Sequence, residues 1–242
     1  MLLCEWKKLR MSSIWVPVIA APVLAIGVGA LMSRMDLGPM AGDMTWSFIY
    51  GEIVRVHASL FLPLLAGILA SIVCRTEHLA GGWKHLLALP VSRTAVYVAK
   101  FCYVLLFLAL IQVLVMIGVL VDGRWFLHLQ EPIPWSVLAK GAIGGWIATI
   151  PLAALQFWAS TWWKSFAAPF ALNVICTIPA SAVEGSNLYA PMYPWAQPML
   201  AMLPDSSGLL YVTKETAITI AIAGIVFIVG GWIHFRTQDI CA

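Results

Sequence analysis

The sequence predicts an all-α membrane protein that crosses the bilayer six times, and three observations support this fold class. The chain of 242 residues is 62% hydrophobic and only 10% charged, which leaves too little charged surface to cover a water-soluble globule. Six runs lack Lys, Arg, Asp and Glu and reach or approach the roughly 20 residues that a helix needs to cross a bilayer. These runs are apolar on every side, which favours helices over the alternating strands of a barrel.

The predicted elements form a single transmembrane domain, residues 1–242. A short elbow helix, 1–10, lies at the membrane surface before the first span, and an amphipathic helix, 76–89, follows the second. A long outer segment, 184–215, precedes the last span. The six predicted spans, in chain order, are residues 11–33, 56–74, 101–121, 141–163, 165–183 and 216–235.

The elbow helix has the sequence MLLCEWKKLR. Leu2, Trp6 and Leu9 share one face of it, while the charged side chains lie off that face, as expected for a helix in the plane of the membrane surface. Its candidate functional residues are Glu5, Trp6 and Lys8. Its apolar continuation is too long for the core of a cleaved signal peptide, so we expect the first span to remain as an anchor.

The segment after the second span, EHLAGGWKHLLALPVSR, is polar on one face and apolar on the other. The apolar face comprises Leu79, Trp83, Leu86 and Leu87, and the polar face includes Glu77, His78, Lys84 and His85. Pro90 ends the helix, and Ser92 is placed to cap the next one. The residues leave two alternatives: a helix on the inner membrane surface, or a docking helix whose polar face is held by a soluble partner.

The outer segment, residues 184–215, contains Pro191, Pro194, Pro198 and Pro204 among aromatic residues and methionines. It is too apolar for a mobile loop and too interrupted by proline for one spanning helix. We expect short interfacial or partly re-entrant helices, with an aromatic belt at the headgroups as the alternative.

Charge distribution predicts the orientation. Nine of the 14 Lys and Arg residues fall on the side of the two termini and of residues 77–93, and five fall on the opposite side. The positive-inside rule therefore places both termini in the cytoplasm.

Several classes of function are excluded by missing motifs. The chain has no glycine-rich phosphate loop, no paired histidines of a metalloprotease and no cysteine spacing typical of a metal site. We therefore expect no catalytic residue, metal or cofactor in this chain, and the small net charge of +3 gives no sign of nucleic-acid binding. Inside the spans, Gln112, Gln156 and Asn173 are candidates either for helix packing or for substrate contacts.

Small residues repeat along the fourth span at Gly141, Gly145, Thr149 and Ala153. Such spacing lets two helix backbones approach closely. Packing within the bundle and a seam between two copies of the chain are both compatible with the repeat.

Two segments resemble ABC-2-type exporter permeases. The run RTEHLAGGWKHLLALPVSRTAVYVAK, residues 75–100, is similar to their cytoplasmic segment, and CEWKKLRMSSIWVPVIAAP is similar to their N-terminus. In that family the segment after the second span is the coupling helix, which sits in a cleft of a separate ATPase subunit. The resemblance favours docking and implies the following residues for ATPase coupling: Glu77, Trp83, Lys84, Pro90 and Arg93.

The resemblance implies the membrane-spanning permease subunit of an ATP-driven exporter in the bacterial cytoplasmic membrane. Its partners would be two copies of a cytoplasmic ABC ATPase, which bind ATP and Mg, and a second permease that is identical or related. Length and lack of a soluble domain make the chain similar to bacterial lantibiotic and bacitracin immunity-type permeases, with an amphipathic cargo such as a peptide antibiotic or a lipid-like molecule. The alternative is a non-transporting scaffold or sensor subunit that recruits a cytoplasmic protein.

Overall fold

The computed structural model describes residues 2–10, 12–36, 45–78, 91–163, 165–183, 185–186, 188–204 and 212–237. Within these ranges the regular structure is entirely helical, so the all-α prediction is confirmed. The α-helices are α1 Leu2–Arg10, α2 Trp15–Asp36, α3 Trp46–Val56, α4 Leu62–His78, α5 Arg93–Val121, α6 Trp135–Trp162, α7 Ala167–Thr177, α8 Ala180–Val183, α9 Gln197–Met202 and α10 Lys214–Thr237.

Five helical stretches among the described residues are long and apolar enough to cross a membrane: Trp15–Met35, Trp46–Arg75, Arg93–Phe126, Trp135–Trp162 and Lys214–Thr237. The stretch at the place of the fifth predicted span is shorter, Ala167–Val183, and is divided at Pro179 into α7 and α8. At 1.5 Å per residue it extends about 25 Å, less than the roughly 30 Å of a hydrocarbon core.

Several helices extend beyond the charge-free runs from which the spans were predicted. The second begins at Trp46, where the Thr45 side chain accepts a hydrogen bond from the backbone N–H of Phe48. The third begins at Arg93, and the predicted cap is confirmed because the Ser92 hydroxyl accepts from the N–H of Ala95 at 3.1 Å. A helix does not have to end where its first charged side chain appears, since long side chains reach water from inside the membrane edge.

The second long helix contains one π-helical segment, His57–Phe61, between α3 and α4. Pro63 follows two residues later and lacks the N–H that would donate to the carbonyl of Ser59. Wider i to i+5 turns accommodate such a missing bond without ending the helix. The segment places the side chain of His57 fully inside the bundle.

Helix α6 lies at the centre of the bundle and packs against α4, α5, α9 and α10. A Cβ atom at Gly145 would overlap the Met202 sulfur and the Gln112 amide nitrogen. Gly141, Thr149 and Ala153 are also buried. The small-residue repeat therefore serves packing within the chain, on the side where α9 lies.

The described part of the outer segment inserts into the bundle. Helix α9 is almost entirely buried, and the Tyr50 hydroxyl donates to the carbonyl of Met202 at 2.9 Å. Trp195 is also buried, whereas Leu188 and Tyr189 are exposed. Short helices are therefore present, and the central part of this segment packs against other helices of the chain instead of forming only a surface belt.

Candidate functional site at the two ends of residues 79–90

Four charged side chains meet where α1, the end of α4 and the start of α5 come together; we call Glu5, Lys8, Glu77 and Lys100 the four-charge cluster. Lys100 Nζ lies 2.8 Å from Glu5 Oε2 and 3.2 Å from Glu77 Oε1. Lys8 Nζ lies 2.7 Å from the same Glu77 oxygen and 3.7 Å from Glu5 Oε1. The i, i+3 spacing puts Glu5 and Lys8 on one face of α1, so a single helix supplies one charge of each sign.

The cluster is buried apart from its outermost member. Lys100 is 0% exposed, Glu5 2% and Glu77 4%, whereas the Lys8 side chain is 41% exposed. Buried charges are stable only when paired and hydrogen-bonded, and here two carboxylates face two ammonium groups. Deleting one partner of such a buried pair costs about 3–5 kcal/mol because it leaves an unpaired buried charge.

The attraction between these charges determines two pKa directions. Burial acts to raise the pKa of Glu77, but Lys100 and Lys8 outweigh it and hold that pKa below the usual value of 4.5. Burial acts to lower the pKa of Lys8, but Glu77 and Glu5 outweigh it and hold that pKa above 10.5. Both groups therefore stay charged over the neutral range.

Aromatic rings connect the rest of α1 to the bundle. Trp6 stacks on Tyr103 of α5 at 6.3 Å between ring centroids and meets Trp15 of α2 edge-on at 6.3 Å. Trp15 in turn contacts Phe107 edge-on at 5.6 Å. Leu9, on the same helix, is 1% exposed. Helix α1 is therefore held by ion pairs on one side and by apolar packing on another.

The chain segments that flank residues 79–90 are fixed to two further helices. His78 Nε2 lies 2.8 Å from the carbonyl oxygen of Ser160, at the end of α6. Arg93 Nη1 donates to the carbonyl of Arg236, at the end of α10, at 2.9 Å, a position where helix carbonyls lack intrahelical partners. The two ends of the segment are thus anchored to α1, α6 and α10 as well as to each other.

The structure places the predicted coupling residues in different settings. Trp83, Lys84 and Pro90 lie outside the described residues. Glu77, predicted on the polar face of the coupling helix, is buried in the four-charge cluster, and Arg93 lies against the end of α10. Of the elbow residues, Glu5 and Lys8 belong to the cluster and Trp6 to the aromatic contacts.

The three polar residues predicted inside the spans differ in their contacts. The Asn173 amide donates to the carbonyl of Pro63 at 2.9 Å and accepts from Trp195 Nε1 at 2.7 Å, so it joins α4, α7 and the outer segment. Gln112 Oε1 lies 3.1 Å from His57 Nε2. Both amide atoms of Gln156 are buried without a hydrogen-bond partner among the described residues.

Sequence reasoning missed His57 and the ion pairs between distant residues. His57 lies in a run free of Lys, Arg, Asp and Glu, and only a search that counted histidine as polar would have found it. The pairs of Lys100 with Glu5 and of Arg34 with Asp122 join residues 95 and 88 positions apart. Their only signal in the sequence is that both members of each pair fall on the same predicted side of the membrane.

These features define a multi-pass helical membrane protein in which the N-terminal helix α1 is ion-paired with Glu77 in α4 and with Lys100 in α5. A family model described as "ABC-2 family transporter protein" matches residues 1–180, and the chain therefore belongs to the ABC-2 family, the permease components of ABC transporters. The recognition made from residues 4–22 and 75–100 is confirmed at the level of this family. Searches of curated proteins and of solved structures gave no match.

Proposed function

We propose that this chain is the membrane subunit of an ATP-driven exporter in a bacterial cytoplasmic membrane, with both termini in the cytoplasm. The observation that carries the proposal is the four-charge cluster, which joins α1, α4 and α5 at the ends of residues 79–90. In the ABC-2 family this segment is the contact with the ATPase subunit. In this proposal, a movement of residues 79–90 is transmitted through the cluster to the membrane-spanning helices.

The contacts support a specific route for this displacement. Because Glu77 and Lys100 share buried ion pairs with α1, movement of residues 79–90 carries α1, α4 and α5 together. The bonds from His78 to α6 and from Arg93 to α10 extend the movement to two more helices. In this proposal Trp83 and Lys84 contact the ATPase, while Glu77 holds the base of the segment without touching the partner.

The chemistry of ATP hydrolysis is assigned to the partner. The present chain has no phosphate loop, so ATP and Mg would bind to two copies of a cytoplasmic ATPase. Since one chain supplies about six spans, we propose a complex of two permease chains, identical or related, with two ATPase chains. Native mass spectrometry of the complex tests this stoichiometry, and a mass with one permease chain would contradict it.

We propose an amphipathic cargo, such as a peptide antibiotic of the lantibiotic or bacitracin type or a lipid-like molecule. The exposed surface of the long helices is apolar, and apolar side chains dominate sites for such ligands. Expression of the chain with its ATPase should raise the concentration of membrane-active peptide needed to inhibit growth of a sensitive host. Unchanged sensitivity to such peptides would contradict a peptide cargo.

The central test compares two single substitutions in the complex with the ATPase encoded by a neighbouring gene. Glu77→Gln removes one carboxylate from the four-charge cluster, and we expect the complex to form while ATP turnover no longer responds to cargo. Glu52→Gln is the matched control, because Glu52 belongs to a separate ion pair, 3.6 Å from Arg55, in which the arginine side chain is 55% exposed and the glutamate side chain 15%. We expect the control to behave as wild type.

Two results would contradict the proposal. If the wild-type chain neither captures the ATPase nor changes its turnover, the exporter assignment is wrong. If it captures the ATPase but no cargo moves, the chain is a scaffold or sensor subunit. The double substitution Trp83→Ala and Lys84→Glu should abolish binding of the ATPase. Glu77→Gln should leave binding intact and abolish only the response of ATP turnover to cargo.

A further inference from the structure

A groove lies on the outside of the bundle between α2 and α5. Its volume is about 580 Å³, within the range of small-molecule sites. Aliphatic side chains line most of it, among them Val23, Ile26, Leu114 and Ile117. From Ile19 to Arg34 the groove follows α2 for about 22 Å, more than half of a hydrocarbon core of roughly 30 Å.

One end of the groove carries an ion pair. Arg34 Nη2 lies 2.8 Å from Asp122 Oδ1, and Arg34 Nη1 donates to the carbonyl of Ala30. The guanidinium has five N–H donors. These two bonds use only part of them, so further donors can bind a ligand. Asp122 is 4% exposed, yet its second oxygen, Oδ2, has no hydrogen-bond partner among the described residues.

A buried carboxylate oxygen without a donor is costly, so a donor from outside the described chain would be strongly favoured. We propose that the groove binds one membrane phospholipid with a primary-amine headgroup, of the phosphatidylethanolamine type. Its ammonium donates to Asp122 Oδ2, its phosphate accepts from Arg34, and one acyl chain lies along α2 and α5. Arginine is well suited to the phosphate, and the adjacent opposite charges match a zwitterion.

Lipid is a better match for this surface than a second copy of the chain. The groove opens on the lipid-facing side of α2, where Ile19 is 55% exposed and Val23 61%. A second copy would have to bring a hydrogen-bond donor to Asp122 at the edge of the membrane. The central part of α10, the least buried of the five long helical stretches, exposes aliphatic side chains such as Ile222, Ile225 and Val229, which carry no donor.

Gly27 offers a way to fill the groove without disturbing the fold. It lines the groove, and a Cβ atom there would meet no atom within 4 Å. A Cβ atom at Gly51, in α3, would also meet no atom within 4 Å, but Gly51 does not line the groove. Gly27→Leu and Gly51→Leu are therefore a matched pair, and neither substitution removes a charge.

The experiment measures binding of dioleoyl phosphatidylethanolamine and dioleoyl phosphatidylcholine to the delipidated full chain by native mass spectrometry. We expect wild type and Gly51→Leu to bind one phosphatidylethanolamine about tenfold more tightly than phosphatidylcholine, since a choline group cannot donate a hydrogen bond. Gly27→Leu should lose both lipids, and Asp122→Asn should lose the preference while still binding lipid.

Three results would overturn the proposal. Equal binding of the two lipids by wild type removes the headgroup assignment. Retention of phosphatidylethanolamine by Gly27→Leu at the level of Gly51→Leu removes the groove as the site. A change from dimer to monomer in Gly27→Leu, without a change in bound lipid, assigns the groove to a second copy. If Asp122→Asn does not fold, the comparison of the two lipids on wild type still tests the headgroup assignment. The Gly27→Leu and Gly51→Leu pair still tests the groove as the site.

Discussion

Lys100 shows why an isolated residue type is a poor guide to its role. In the sequence it is one of several cations near the membrane surface, and a lysine at that depth is expected to extend its side chain to water. In the structure it is fully buried between the carboxylates of Glu5 and Glu77. The two carboxylates offset the hydration that the buried Lys100 side chain loses.

The Glu77 carboxylate predicts how stability depends on pH. Its pKa is lowered on folding, so its contribution is present above the usual value of 4.5 and is lost as the pH falls through the lowered value. We therefore expect the melting temperature of the detergent-solubilised protein to decrease as the pH is lowered below 4.5. Glu77→Gln should melt lower at neutral pH and show a smaller acid loss. An unchanged acid profile in this variant would contradict the role of Glu77 in the cluster.

Gln156 allows packing to be distinguished from substrate binding. Because neither amide atom has a hydrogen-bond partner among the described residues, replacing it by an apolar side chain of similar size should relieve a desolvation penalty of about 1–3 kcal/mol. We expect Gln156→Met to raise the melting temperature. A stabilised variant with normal cargo transport indicates a packing position, whereas a stabilised variant with lost transport indicates a substrate contact. Destabilisation by Gln156→Met would contradict the expectation.

At the scale of elements, two prolines coincide with changes in helix geometry, whereas Pro22 and Pro151 lie inside regular α-helices. Pro63 follows the π-helical segment of the second long helix, and Pro179 lies at the break between α7 and α8. Each removes one backbone donor, but the first is absorbed by a wider turn and the second divides the helix. The sequence shows each of these prolines, but no local pattern in it distinguishes the different outcomes.

Glycine packing provides a test at this scale. Gly145→Ala should be destabilising by about 1–3 kcal/mol, because the added carbon overlaps Met202 and Gln112, where α9 meets α6. In Gly224→Ala the added carbon would lie 3.8 Å from Pro151, an ordinary contact, and alanine is favoured over glycine inside a helix by up to about 1 kcal/mol. Thermal unfolding in detergent should rank Gly224→Ala above wild type and Gly145→Ala below it. The reverse order would contradict the α6–α9 contact.

At the scale of the whole molecule, orientation and helix number make one prediction together. Because we propose that both termini lie in the cytoplasm, we expect a reporter fused after Arg236 to be active only inside the cell. A reporter inserted after Gln130, between α5 and α6, should be active only outside. The expectation follows from nine cationic residues on one side against five on the other. Activity of both reporters on the same side would require an even number of crossings between them and a different topology.

Much of this fold was accessible from the sequence. Runs of apolar residues predicted helices in the correct order, Ser92 was identified as a cap, and the motif around residues 75–100 led to the ABC-2 family. These features are local, since they depend on composition, periodicity and short-range hydrogen bonds. The break in the fifth predicted span, between α7 and α8, and the burial of α9 among the other helices were not predicted in detail. Both depend on the space that the other helices leave.

The sequence by itself determined that the chain is a multi-pass helical membrane protein, because an apolar run of sufficient length has few alternatives to a spanning helix. Only the tertiary structure decided which charges face one another. Glu5 and Lys100 lie 95 residues apart, and Arg34 and Asp122 lie 88 apart. Such pairs depend on how each helix is rotated and packed, which no local pattern encodes, and both proposals made for this protein depend on them.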